Sequence, residues 1–402
     1  MRADRPRALL PWNFPWQTNG MSDNVVAPSL VELRQRKSEK WRGFPSDVLP
    51  LPVAEMDFPI AEPIKASLRD MIDRSDTGYL GAIPELKESF ASFAMSLWGW
   101  HLDPNHVRIA SDVGVAAVEI LRVLIKPGDK VLIDTPVYNN FFNWLNEVKA
   151  EIIEVPMRRE DLHYTYDLIG IENAYKSGVK VHILCNPQNP TGTVHAKADL
   201  QKIADLALEF GVTVISDEIH APLTYVTEEF HPFLSISDSA RRVGITITSA
   251  SKSFNIAGLK CAILIAEDER LNELLATMPI AVHYRASLFG GVASAAAFAH
   301  GSSWLTAALD QLDKNRKLLD SLIRSRIPAI NYRIPDCSYL AWLDLSALNL
   351  GDNPAATLLE RGRVALNSGH TYGAPYSQFA RLNFATSPEL ITDGIERILK
   401  AL

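Results

Sequence analysis

The sequence predicts an α/β protein: a large domain with a mostly parallel, doubly wound sheet, plus a smaller α+β domain. Three observations predict it. Five short runs are rich in β-branched residues and nearly free of polar ones, which suits strands covered on both faces. Between two of them lies a helix-length amphipathic segment, giving the order strand, helix, strand. The runs also end in polar clusters, where open α/β sheets bind their ligands.

In chain order the runs are residues 130–136 (KVLIDTP), 179–185 (VKVHILC), 212–217 (VTVISD), 244–249 (GITITS) and 261–266 (CAILIA). Residues 199–210 carry apolar side chains at helical spacing and stop at Gly211, a C-terminal stop signal. From about Trp304 the character changes. A long charged helix is expected over 307–325, then strand-like runs at 339–345 and 380–384, then a closing helix. The expected division is an N-terminal extension (1–20), a segment joining the smaller domain (21–57), the large domain (58–303) and the small C-terminal domain (304–402).

Composition narrows the function classes. The chain has 402 residues, enough to bury a full core without disulfides or metals. Charged residues are 22% and there are 8 Trp, which excludes a disordered chain. Lys plus Arg number 40 against 47 Asp plus Glu, a net −7, so a nucleic-acid or anionic-membrane partner has no basic surface to meet. The 3 cysteines, Cys185, Cys261 and Cys337, form no C-x-x-C and are expected to be reduced and buried. No run reaches the roughly 18 apolar residues of a membrane span, and the first residues lack a signal-peptide core, so a cytoplasmic location is expected. Dinucleotide, P-loop, zinc-protease and serine-hydrolase motifs are all absent.

The strand ends carry the chemistry. They read DTPVY (134–138), CNPQNPTG (185–192), SDEIH (216–220) and SASK (249–252). Lys252, just past a buried strand, sits where low polarity lowers an amine's pKa and favours the nucleophilic neutral form. Taken alone it could equally snorkel to solvent. Asp217 at a buried strand end needs a cation, such as a protonated ring nitrogen, or else serves as a helix cap. Asn189 is either turn chemistry or an amide donor to a ligand oxygen. The stretch SDVGV (111–115) before an apolar helix offers backbone N–H groups to a phosphate, a weak signal by itself.

Together, residues 185–192, 216–220 and 249–259 (SASKSFNIAGL) resemble the fold-type I pyridoxal-phosphate enzymes. More narrowly the chain is similar to the MalY/PatB-type cystathionine β-lyases of the class I/II aminotransferase group. VAEMDF (53–58), TGY (77–79), SEKW (38–41), SYLAW (338–342) and RLNF (381–384) continue the match from about Leu30 onward. The resemblance implies a pyridoxal-phosphate-dependent β-elimination that releases thiol, pyruvate and ammonia from L-cystathionine or related cysteine S-conjugates. An aminotransferase using the same residues, and a regulatory protein that keeps the cofactor, are the competing readings.

It further implies that Lys252 binds the cofactor aldehyde and moves the Cα proton, and that Asp217 holds the ring nitrogen protonated. Asn189 would bond the ring hydroxyl with His220 nearby, and Tyr138 would stack on the ring. Gly114, Val115, Ser249 and Lys260 would hold the phosphate, and Arg381 would clamp the substrate α-carboxylate. Tyr79 would reach the phosphate of a neighbouring subunit, implying a homodimer. Departures from the branch pattern, including Glu55 for the usual Asp, Cys337, Ala116, Ala117 and Tyr372, fall on the substrate side-chain pocket.

Overall fold

The computed structural model describes Val25–Leu402; the expectations made for residues 1–20 lie outside the described residues. The central sheet has seven strands. Their order across it is Val107–Ala110, Ala262–Ile265, Gly244–Thr248, Thr213–Asp217, Val181–Cys185, Lys130–Thr135 and Glu151–Pro156. All of the expected runs are there.

Alternation along the strands explains the double winding. Val131, Ile133, Ile183, Ile215 and Ile247 point into one apolar cluster, shared with the helix Val113–Leu124. Leu132, Leu184, Val214 and Ile263 point into the other, shared with the helix Lys197–Phe210. Each such side chain contributes about 1.5–3 kcal/mol when fully buried, so neither face can be left bare. The helix Lys197–Phe210 ends as expected at Gly211, whose φ of 69° is the left-handed region that glycine enters freely.

One expectation fails. The run 261–266 suits a parallel sheet, but Ala262–Ile265 pairs antiparallel to both of its neighbours. Burial on both faces produces an apolar run whichever way a strand points. The direction is set instead by the connection: after Gly244–Thr248 the chain makes only the single helical turn Ala250–Ser253 and a short 3₁₀ turn, too little for a crossover helix. The edge strands Val107–Ala110 and Glu151–Pro156 lie outside the predicted runs; the second is partly solvent-facing and carries Glu151 and Glu154.

A second, antiparallel sheet of four strands has the order Asn331–Tyr332, Leu340–Asp344, Phe379–Asn383 and Asn367–Ser368. It packs with the helices Ser302–Arg326 and Pro388–Ala401. The dipeptide Leu49–Pro50 pairs in parallel with Val364–Ala365, tying the N-terminal segment to this region. Among the described residues no helix is long and apolar enough to cross a membrane. The three cysteines are buried and unpaired.

Candidate active site

Parallel pairing brings the strand ends level: Cys185 faces Asp217 and Asp217 faces Ile247 in the ladder. The polar clusters that follow therefore gather at one edge. Lys252 lies on the turn Ala250–Ser253, capped by Ser249 Oγ accepting from the Ser251 amide at 3.1 Å. Its Nζ donates to the Ala54 carbonyl at 2.9 Å and, among the described residues, to no carboxylate. Burial, then the positive charge of Arg381, holds the Lys252 amine down to about 8, so a substantial neutral fraction exists near neutral pH.

Asp217 is 4% exposed. Its Oδ1 accepts from the Ile219 amide at 3.2 Å, and no cation pairs with it among the described residues. Burial pushes its carboxyl up to about 7. Arg381 is equally enclosed, on the strand Phe379–Asn383. Its Nη1 donates to Asn189 Oδ1 at 3.0 Å and its Nη2 to the Pro52 carbonyl at 2.9 Å. Its Nε is buried without an acceptor, and no carboxylate pairs with the guanidinium among the described residues. A buried anion and a buried cation thus share one site, each without the opposite charge that burial demands.

The other expected residues divide. Asn189 is brought to Arg381, as above. His220 is buried close to Lys252 and Arg381, whose charges, after burial itself, hold its pKa well below the usual range. It is therefore neutral, with Nδ1 bonded to Ser338 Oγ at 2.9 Å. Tyr138 is half-buried, its ring set edge-on to Phe141 and Trp144, and its hydroxyl accepts from Asn140 Nδ2 at 2.6 Å.

Three of the expected phosphate ligands, Val115, Lys260 and Ser249, already have partners. The Val115 amide donates to Asp112 Oδ1 at 2.8 Å, and Lys260 Nζ pairs with Asp112 Oδ2 at 3.2 Å, because Asp112 caps the helix Val113–Leu124. Ser249 Oγ donates to the Cys261 carbonyl at 2.6 Å. Gly114 leaves little room at the helix start: a Cβ there would lie 3.0 Å from Trp144 Nε1. Tyr79 stands 91% exposed.

Sequence reasoning missed the groups that carry the segment 53–58 across the site. Asn255, in the left-handed region at φ 58°, accepts from the Met56 amide and donates to the Met56 and Phe58 carbonyls. Asn383 Nδ2 holds the Val53 and Glu55 carbonyls, both at 2.6 Å. Tyr339 shares the Ala54 carbonyl with Lys252, at 3.1 Å. Both Asn residues stand inside motifs already quoted, but a main-chain partner far along the chain leaves no mark on local spacing. No group of metal-ligating side chains is present among the described residues. Cavities of about 700 Å³, beside Phe93 and Trp98, and about 760 Å³, beside Lys87 and Arg108, lie away from Lys252.

Residues 46–398 match the family model for aminotransferase class I and II, and the chain belongs to that family. Within it, the chain is similar to cystathionine β-lyases. A Mycobacterium tuberculosis protein with a provisional cystathionine β-lyase name is 38% identical, over 93% of this chain and 97% of the relative. Cystathionine β-lyase PatB of Bacillus subtilis is 33% identical, over 89% and 93%. The crystal structure of cystalysin from Treponema denticola, which contains a pyridoxal 5′-phosphate cofactor, superposes with a TM-score of 0.87 at 28% identity, covering 95% of this chain and 98% of that one.

Proposed function

We propose that this chain is a pyridoxal-phosphate-dependent carbon–sulfur β-lyase acting on L-cystathionine or related cysteine S-conjugates. The observation that carries it is the trio Lys252, Asp217 and Arg381: among the described residues, an amine bonded to no carboxylate, a buried carboxylate bonded to no cation, and a buried guanidinium bonded to no anion. The cofactor fits the first two, since its protonated ring nitrogen supplies the cation that Asp217 lacks. An amino-acid carboxylate fits the third, bidentate on a fork that Asn189 and the Pro52 carbonyl already orient. Elimination rather than amino-group transfer is supported by the likeness to relatives named as cystathionine β-lyases.

When bound, pyridoxal phosphate supplies an aldehyde that links to an amine and an electron-poor ring that takes up the electron pair left at Cα. Lys252 Nζ would hold the cofactor aldehyde until substrate binds and, as a free amine, would take the Cα proton. The Lys252 ammonium would give that proton to the sulfur that leaves Cβ with the bonding pair, and water added to the remaining enamine would yield pyruvate and ammonia. Neutral His220 adds no third positive charge beside Lys252 and Arg381, so the α-carboxylate is drawn to Arg381 alone. Tyr138 would cover the ring. The phosphate would take the Gly114 amide, and Asp112 would release Val115 and Lys260 to it, with Ser249 alongside.

We read the working form as a homodimer, with Tyr79 reaching the partner's phosphate; the exposure of Tyr79, Ile280 and Tyr284 supports this. The free, buried thiols suit a reducing cytoplasm. The test is direct: L-cystathionine without any keto acid should yield pyruvate and free thiol. Lys252→Ala should lower turnover more than about a thousandfold. Amino-group transfer to an added keto acid, with no pyruvate, would sink the lyase reading.

A further inference from the structure

The segment Val53–Phe58 is fixed against the site from both sides. Asn383 holds its Val53 and Glu55 carbonyls, and Asn255 holds Met56 and Phe58. Lys252 Nζ and Tyr339 Oη both donate to the Ala54 carbonyl. Glu55 is therefore the residue next to the point where the reacting amine is anchored. Its side chain is half-buried, and its carboxylate has neither a hydrogen bond nor an ion pair among the described residues. Asp57 on the same segment shows the ordinary outcome, with Lys40 and Trp41 both bonded to its carboxylate. Glu55 is near enough to act on its neighbours: its charge favours the Lys252 ammonium and opposes ionisation of Tyr339.

A charge count over the loaded site leaves this carboxylate over. Arg381 is matched by the substrate α-carboxylate, Asp217 by the ring nitrogen, and Lys252 is engaged with the cofactor. Glu55, next to the Ala54 carbonyl that anchors Lys252, is an anion that neither cofactor nor α-carboxylate matches.

We propose that Glu55 selects substrates by charge, its carboxylate receiving a cationic amino group at the far end of the substituent on sulfur. The inference rests on the lyase reading and names the substrate class within it: cysteine S-conjugates with a distal ammonium. In L-cystathionine the amino rather than the carboxylate end of the leaving thiol would turn toward Glu55.

The experiment compares S-(2-aminoethyl)-L-cysteine with S-propyl-L-cysteine, which are nearly equal in size and differ in distal charge. In the holoenzyme, kcat/KM for pyruvate formation should favour the aminoethyl compound. Glu55→Gln should reduce that preference about tenfold or more, the worth of one charge-assisted hydrogen bond, while Glu55→Asp keeps most of it. Any change the variant makes to Lys252 acts on both substrates and cancels in the ratio. A second readout needs no elimination: calorimetric binding of L-lysine against L-2-aminoheptanoate should show the same loss of preference in Glu55→Gln. An unchanged ratio in both readouts would overturn the inference and leave the lyase standing. Absence of pyruvate from either conjugate, with the lysine preference still falling in Glu55→Gln, would overturn the lyase reading and keep Glu55 as the charge selector.

Discussion

Asp57 and Asp217 are both buried carboxylates, yet their surroundings are opposite. Asp57, 1% exposed, takes Lys40 Nζ at 2.8 Å and Trp41 Nε1 at 2.9 Å, with Arg36 at 3.9 Å beyond. Asp217 takes one amide and, among the described residues, no cation. Burying a charge is tolerable only when its partners are buried with it. Where the chain supplies them, as at Asp57, the result is a structural pin that holds the N-terminal segment on the core. Where it withholds them, as at Asp217 and Arg381, the cost stays in the fold until a ligand arrives. The difference separates scaffold from site without reference to any motif.

The contrast can be broken by substitution. Asp57→Ala leaves Lys40 buried and unpaired, and should lower stability by about 3–5 kcal/mol; the denaturant midpoint measures it, and a midpoint close to that of the wild type would mean the pin is not structural. Arg381→Lys keeps the charge but loses the fork, and should lower kcat/KM for L-cystathionine about 10- to 100-fold, mostly through KM. Equal kcat/KM would remove Arg381 from substrate binding.

Asp217→Asn sharpens the comparison. The Asp217 carboxyl is raised to about 7 in the fold, against roughly 3.9 in an unfolded chain. Ionising it thus opposes folding, fully so above the folded pKa and not at all below the unfolded one. Cofactor-free Asp217→Asn should therefore melt a few degrees higher than the wild type at pH 8. The gain should fade as pH falls toward 4, and the same variant should lose activity. A melting point at pH 8 below the wild type's would show that Asp217 has a cation partner after all.

Much of this was legible in the sequence. Lys252, Asp217 and Asn189 announce themselves as polar residues at or just beyond the ends of largely apolar strands, and the ladder then brings those ends together. The direction of Ala262–Ile265 was not legible, since two-sided burial erases the alternation that marks a one-sided strand. Nor were the contacts of Arg381, Asn255, Asn383 and Tyr339. Their partners lie far along the chain, and most are carbonyl oxygens, which every residue possesses. Nor was the capping contact of Asp112, which competes for the Val115 amide and Lys260 with the external anion those groups are expected to hold.

The hydrogen bond between Ser249 Oγ and the Cys261 carbonyl closes the Lys252 loop at its neck, and Thr248 pairs with Ile263 immediately outside it. Such a neck makes the loop a detachable module. Residues can be added or removed within it without altering the register of either strand, so the loop can be re-tailored while the sheet beneath it stays the same.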